Sequence, residues 1–201
     1  MNAAYQRLKT NWVYGGFLMA FVLLALAVPL LADAPLALVL IYLHLPMYQL
    51  HQYEEHDADR FRVFVNSVLG KGRELLTLDA VFFINTVLVW ALFTAVFLAS
   101  SLVDLGYGLI VAYATLLNGI VHVAQALVLR RYNPGLGTAV LAFLPVSATA
   151  IWTLSRTEGI ELADHTLGFT AGVAIHAAIV VHVLLRIRRL KSAEREAVVQ
   201  N

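Results

Sequence analysis

The feature that most limits what this chain can fold into is its run of long apolar stretches. Six of them, over 13–32, 36–55, 78–100, 107–129, 136–154 and 167–185, take up most of the 201 residues. A bilayer core accepts about 20 apolar residues per helix. Charged residues make up 13% of the chain, against about 25% for an ordinary soluble domain. The expected fold is therefore all-α, a polytopic membrane protein whose residues 1–201 form a single six-transmembrane-helix bundle. Residues 186–201 are then a basic tail. The first run, flanked by Trp12 and Tyr14, is longer than the 7–15 or so apolar residues of a signal peptide, and Pro35 leads straight into the next run. A helical hairpin is the better account of it.

Basic residues orient the bundle. Thirteen of the fourteen lysines and arginines lie in the amino terminus, the 57–77 connection, the turn after 129 and the carboxyl tail, leaving Arg156 on the other side. By the positive-inside rule both termini are expected in the cytoplasm. The net charge of +1 offers nothing to nucleic acid. The absence of cysteine excludes disulfides, thiolate metal sites and thiol nucleophiles.

Ionisable groups inside a bilayer are costly unless they pair or face the bundle interior, so they define the functional candidates. The stretch His51-Gln52-Tyr53-Glu54-Glu55-His56 puts His51, Glu54 and Glu55 at i, i+3 and i+4, on one helical face. Thr115, Asn118, His122 and Gln125 form a stripe on the fourth run. Gly168, Gly172 and His176 form another on the sixth, a small-residue spacing suited to close helix contact. Counted inward at about 1.5 Å per residue, His51, Asn85, His122 and His182 fall in the cytoplasmic half of the membrane. His51, Glu55, His122 and His176 are the candidate metal ligands, with Glu54 and Glu55 as the acid–base pair. Zinc, iron or manganese suits such a nitrogen and oxygen set. Asn85, Asn118 and Gln125 would orient the ligands or the substrate. No organic cofactor motif is evident.

Plainer accounts apply to some of these residues. A lone buried histidine such as His44 is more often a hydrogen-bonded interior group. His56, Asp57 and Asp59 are expected as a solvated cluster at the interface. His182 lies six residues from His176 and points elsewhere on the helix, so one of the two at most is central. A zincin pattern is absent, and a di-iron carboxylate bundle would need more glutamates. Adjacent glutamates on one helix cannot flank a glycosidic bond from both sides.

His51-x-x-Glu54-Glu55, the later His122 and the turn Tyr132-x-Pro134-Gly135 together resemble the HXXEE-domain family of small prokaryotic integral membrane proteins. The family's function is unassigned, so the resemblance implies no substrate and no reaction. It implies a multi-pass protein of the prokaryotic cytoplasmic membrane and adds Tyr132, Pro134 and Gly135 as family features, with Tyr132 a candidate for orienting a ligand or substrate.

The function expected from these residues is a membrane-embedded metal-dependent enzyme, of hydrolase type. Its substrate would be a lipid or other amphipathic molecule near the cytoplasmic face. A proton- or cation-coupled transporter and a structural or partner-binding subunit are the alternatives. Oligomeric state is left open by the sequence.

Overall fold

The computed structural model describes residues 3–199, which are helical in their long segments and contain no strand. Six long helices follow in order: α1 (Ala3–Leu30), α2 (Leu36–His56), α3 (Leu78–Leu102), α4 (Leu105–Leu129), α5 (Leu136–Leu154) and α6 (Leu162–Val199). All except α2 are long and apolar enough to cross a membrane. Six spans were expected, and the difference lies in α2. Its 21 residues reach roughly 30 Å, but Gln49, His51, Gln52, Glu54, Glu55 and His56 crowd its last two turns.

Those polar residues are tolerable because α2 is enclosed. It packs against α1, α3, α4 and α5, while α6 lies outside on α4. Ile41 of α2 packs in an apolar cluster with Phe93, Leu109 and Leu154. Near the other end, Trp12, Phe64, Leu75 and Leu76 form a second cluster against Tyr53. The outward faces of α1 and α6 present Leu18, Phe21, Val180 and Leu184, as lipid-facing helices do.

Two helices carry a widened π-helical turn, Phe83–Trp90 in α3 and Ala139–Phe143 in α5. In α5 the cause is local. Pro145 has no N–H for the carbonyl one turn back, and the ladder loosens there. The 57–77 connection begins with a short helix, Arg60–Phe64, entered through Ala58 and Asp59 at φ of 51° and 61°. Residues 186–199 of the expected basic tail continue α6 as helix, and its last two lie outside the described residues.

The charged segments gather at one end of the bundle. Lys9, although buried, donates to Asp79 at 2.6 Å. Arg62 pairs with Asp59 and stands 3.6 Å from Glu74, which also meets Arg186, and Arg131 covers the Phe64 ring. The amino terminus, the 57–77 connection, the 130–135 turn and the distal part of α6 thus share one end.

The small-residue stripe of α6 makes the close contact its spacing implies. A Cβ on Gly168 would stand 2.8 Å from the Leu109 backbone, and one on Gly172 would stand 3.1 Å from Ala114 N. Backbone cannot yield as a flexible side chain can. Gly168→Leu is therefore expected to pry α6 from α4 and cost on the order of 2 kcal/mol, read as a lower melting point in detergent. Gly15→Leu, where a Cβ meets nothing within 4 Å, should leave that melting point unchanged.

Candidate metal centre

Three pieces of chain build the centre: the last turns of α2, His122 two turns from the end of α4, and the turn joining α4 to α5. Arg130 closes α4 at φ 49° and Gly135 opens α5 at φ 94°, a conformation that glycine adopts without penalty. Gly135 is needed for space as well. A Cβ there would lie 2.7 Å from His51 Cε1 and 2.8 Å from His122 Cε1. The turn can therefore lie against both imidazoles at once.

His51, Glu55 and His122 are all buried, and one ligand atom from each falls within 4.8 Å of the others. His51 Nε2 is 3.7 Å from Glu55 Oε2, and His122 Nε2 is 3.6 Å from Glu55 Oε1. Hydrogen bonds behind the rings decide which nitrogens carry protons. Asn133 Nδ2 donates to the His122 carbonyl at 2.8 Å, which leaves Asn133 Oδ1 to accept from His122 Nδ1 at 2.6 Å. The Thr138 hydroxyl donates its one proton to the better acceptor, Glu54 Oε2. Its oxygen then accepts from His51 Nδ1 at 2.8 Å.

Both Nδ1 atoms are therefore donors, and both Nε2 lone pairs face the Glu55 carboxylate. His51 Nε2 is buried without a hydrogen-bond partner. Two lone pairs and a carboxylate turned toward one another in a buried space repel. A cation reconciles them, and this nitrogen and oxygen donor set fits a divalent metal ion.

Glu54 faces away from this group. Its carboxylate accepts from Tyr132 Oη at 2.6 Å, Gly137 N at 2.9 Å, Thr138 N at 2.6 Å and the Thr138 hydroxyl. Four donors occupy its oxygens, so Glu54 clasps the α4–α5 turn and, through Thr138, sets the tautomer of His51. Tyr132, more than half exposed, is part of the same clasp.

The other expected site residues are spread more widely. His176 is not in the group; it is half-buried, and its Nδ1 meets Gly172 O of its own helix at 2.8 Å. Asn85 accepts from Gln52 Nε2 at 2.9 Å, and Gln52 in turn accepts from Trp90 Nε1 at 2.7 Å, a bridge between α2 and α3. Asn118 donates to Tyr48 Oη at 3.0 Å, and the Tyr48 ring borders His51 and Phe143. Gln125 is half-buried on α4, outside the group.

His56 corrects the expectation of a solvated cluster. It is buried between Trp12 and Phe61, with Nε2 3.0 Å from Glu55 Oε2, because the chain reverses immediately after it and folds the 57–64 segment back over its ring. Asp57 and Asp59 do remain at the surface, paired with Arg60 and Arg62. Sequence reasoning missed Thr138 and Asn133. Their one signal was position, within or just after the Tyr-x-Pro-Gly turn.

Burial first, and then the Glu54 carboxylate, raise the Tyr132 phenol from the usual 10.0 to about 12. A raised pKa means that the folded state holds this proton more tightly. The stability contributed by the clasp is thus complete below pH about 10 and lost as pH rises through about 12. An ultraviolet titration of the parent minus that of Tyr132→Phe isolates this phenol. Its midpoint is expected near 12 and lower in Glu54→Gln, which keeps the burial but removes the charge; a midpoint near 10 in the parent would contradict the contact.

No curated protein and no solved structure matches the chain. Residues 42–150, more than half of its length, match a family model described as a protein of unknown function with an HXXEE motif. That motif is His51-Gln52-Tyr53-Glu54-Glu55, the stretch that supplies two of the three converging side chains and the clasp, and the chain belongs to the HXXEE family.

Proposed function

We propose that this protein is a membrane-embedded metal-dependent enzyme of hydrolase type, acting on a lipid or other amphipathic substrate at the charged end of the bundle. One observation carries the proposal: two imidazole lone pairs and a carboxylate, each oriented from behind, converge in a buried space with His51 Nε2 unpartnered. A divalent ion with three protein ligands keeps a coordination position open and makes water there a nucleophile at neutral pH. His51 and His122 would hold the ion through Nε2. Glu55 would ligate through one oxygen and take the proton of the reacting water on the other.

Glu54 has a different task from the acid–base role expected of it. With four donors on its oxygens, it acts as a positioning residue. An amphipathic substrate is favoured by the helices that flank the turn, where Leu127 and Val128 at the end of α4 and Leu141 in the second turn of α5 are exposed. In this proposal α2 crosses the membrane as a sixth segment sheltered by its neighbours, both termini are cytoplasmic, and the centre opens to the cytoplasmic side of a prokaryotic inner membrane.

A second function, proton or cation passage, is favoured by a separate observation. Away from the charged end, Thr115 Oγ1 and Asn118 Oδ1 are buried without partners, and His44 Nε2 lies 3.4 Å from Ser147 Oγ. Such groups suggest ordered water between α2, α4 and α5.

Elemental analysis by mass spectrometry on detergent-purified protein is the test. The expected result is about one equivalent of zinc, iron or manganese, absent from folded His51→Ala and His122→Ala. Thr138→Val should weaken metal binding by about 10–100-fold, with Thr138→Ser close to the parent. No metal after loading with each ion would overturn the enzyme, and ion flux in liposomes would then decide for passage.

A further inference from the structure

The second cluster of titratable groups lies on α6, where His182, Leu185, Arg186 and Arg189 recur at i, i+3, i+4 and i+7. That spacing keeps them on one helical face. They face Leu75 and Thr77 of the connection that precedes α3, across an open cleft of about 180 Å³. The cleft shares no residue with the His51 group.

Its chemistry is cationic and amphipathic. Arg186 is held by the connection, its Nε donating to Glu74 O at 3.2 Å, while its outer nitrogen is a loose 3.5 Å from the Glu74 carboxylate. Glu74 is half exposed and also stands near Arg62, so it neutralises Arg186 weakly. Arg189 has no ion pair or hydrogen bond among the described residues, and neither has His182. Thr77 adds a hydroxyl, although that oxygen also caps α3 by accepting from Ala80 N at 3.1 Å.

Next to this polar ring the surface turns apolar at once. Leu185, which lines the cleft, and Val181, one turn before it, are exposed on α6, one to two turns from Arg189 in the direction of the helix's apolar span. A ligand filling the cleft therefore needs an anionic head and a hydrocarbon tail attached to it. Basic pockets at the charged end of membrane helices recognise phospholipid head groups in this way.

We propose that this cleft is a binding site for an anionic phospholipid, its phosphate between Arg186 and Arg189 and its acyl chain along Leu185 and Val181. Two guanidinium groups supply planar donors suited to phosphate oxygens. The lipid bridges α6 to the 57–77 connection, which follows directly from the α2 motif. The site stands independently of any metal chemistry.

Native mass spectrometry of the full chain in detergent, with phosphatidylglycerol or phosphatidylcholine added, tests the site. At least one phosphatidylglycerol should be retained in preference to phosphatidylcholine. The double variant R186Q/R189Q should lose on the order of tenfold in that affinity. R188Q removes one charge from the neighbouring position on the same helix and should retain the lipid as the parent does; circular dichroism establishes that each variant is folded. Equal retention of both lipids, an equal loss in R188Q, or displacement of the lipid by millimolar inorganic phosphate would overturn the proposal.

Discussion

A single carboxylate clasp holds the centre together. Glu54, in the last turns of α2, takes two backbone N–H groups and a hydroxyl from the start of α5 and a phenol from the turn before it. Positions more than 80 residues apart in the chain are thereby set in one register. The consequence reaches the imidazoles directly. Thr138, with its proton committed to Glu54, can only accept from His51 Nδ1, and Asn133, carried on the same turn, does the same for His122. In a medium of low dielectric such a network is worth having if it is fully satisfied and costly if it is not. The clasp meets that condition on its own side and leaves the unmet groups on the other, where His51, Glu55 and His122 converge.

That arrangement depends on α2 being unlike its neighbours. Five helices each hold an apolar span long enough to cross a membrane and α2 does not, yet α2 is the one that four of them enclose. The apolar helices carry the cost of placing the bundle in lipid, which frees α2 to hold imidazoles and carboxylates shielded from hydrocarbon. Small residues make the shielding tight: Gly108 accepts Ile41 of α2 at a distance no Cβ would allow, Gly135 lies over the two imidazoles, and Gly168 meets the backbone of α4. Each stands where two elements approach closely, and none is a break in a helix.

The centre and the basic cleft of α6 lie toward the same charged end of the bundle. The 57–77 connection links them in the chain, leaving α2 immediately after His56 and returning through Glu74, Leu75 and Thr77 to the cleft. Phe64, Leu75 and Leu76 on its inner face pack with Trp12, ion pairs tie Arg62 to Asp59 and Glu74 within it, and Glu74 reaches Arg186. A lipid in the cleft would thus touch the segment that, with Trp12, covers His56. Events at the lipid surface have a short physical route to the motif.

The sequence by itself determined an all-helical chain with apolar spans long enough for a membrane, the charged end, and the candidacy of His51, Glu55 and His122. Each of these follows from hydropathy, from the 3.6-residue period or from the expense of burying an ionisable group, all of which act locally. Tertiary structure decided the rest. Glu54 and Glu55 are neighbours of one chemical type, and only the turn docked on Glu54 separates the carboxylate of the clasp from the one facing His51 and His122. His176 and His122 each sit on a polar or small-residue stripe, but α6 packs outside α4 while His122 faces α2. His56 looked like a surface residue until the 57–64 segment folded over it. Thr138 and Asn133 carry no signal of their own, because a hydroxyl or an amide next to a turn is ordinary until a distant histidine needs its Nδ1 proton placed. Which polar group meets which is set by helix order around α2, and that order is a property of packing rather than of any one segment.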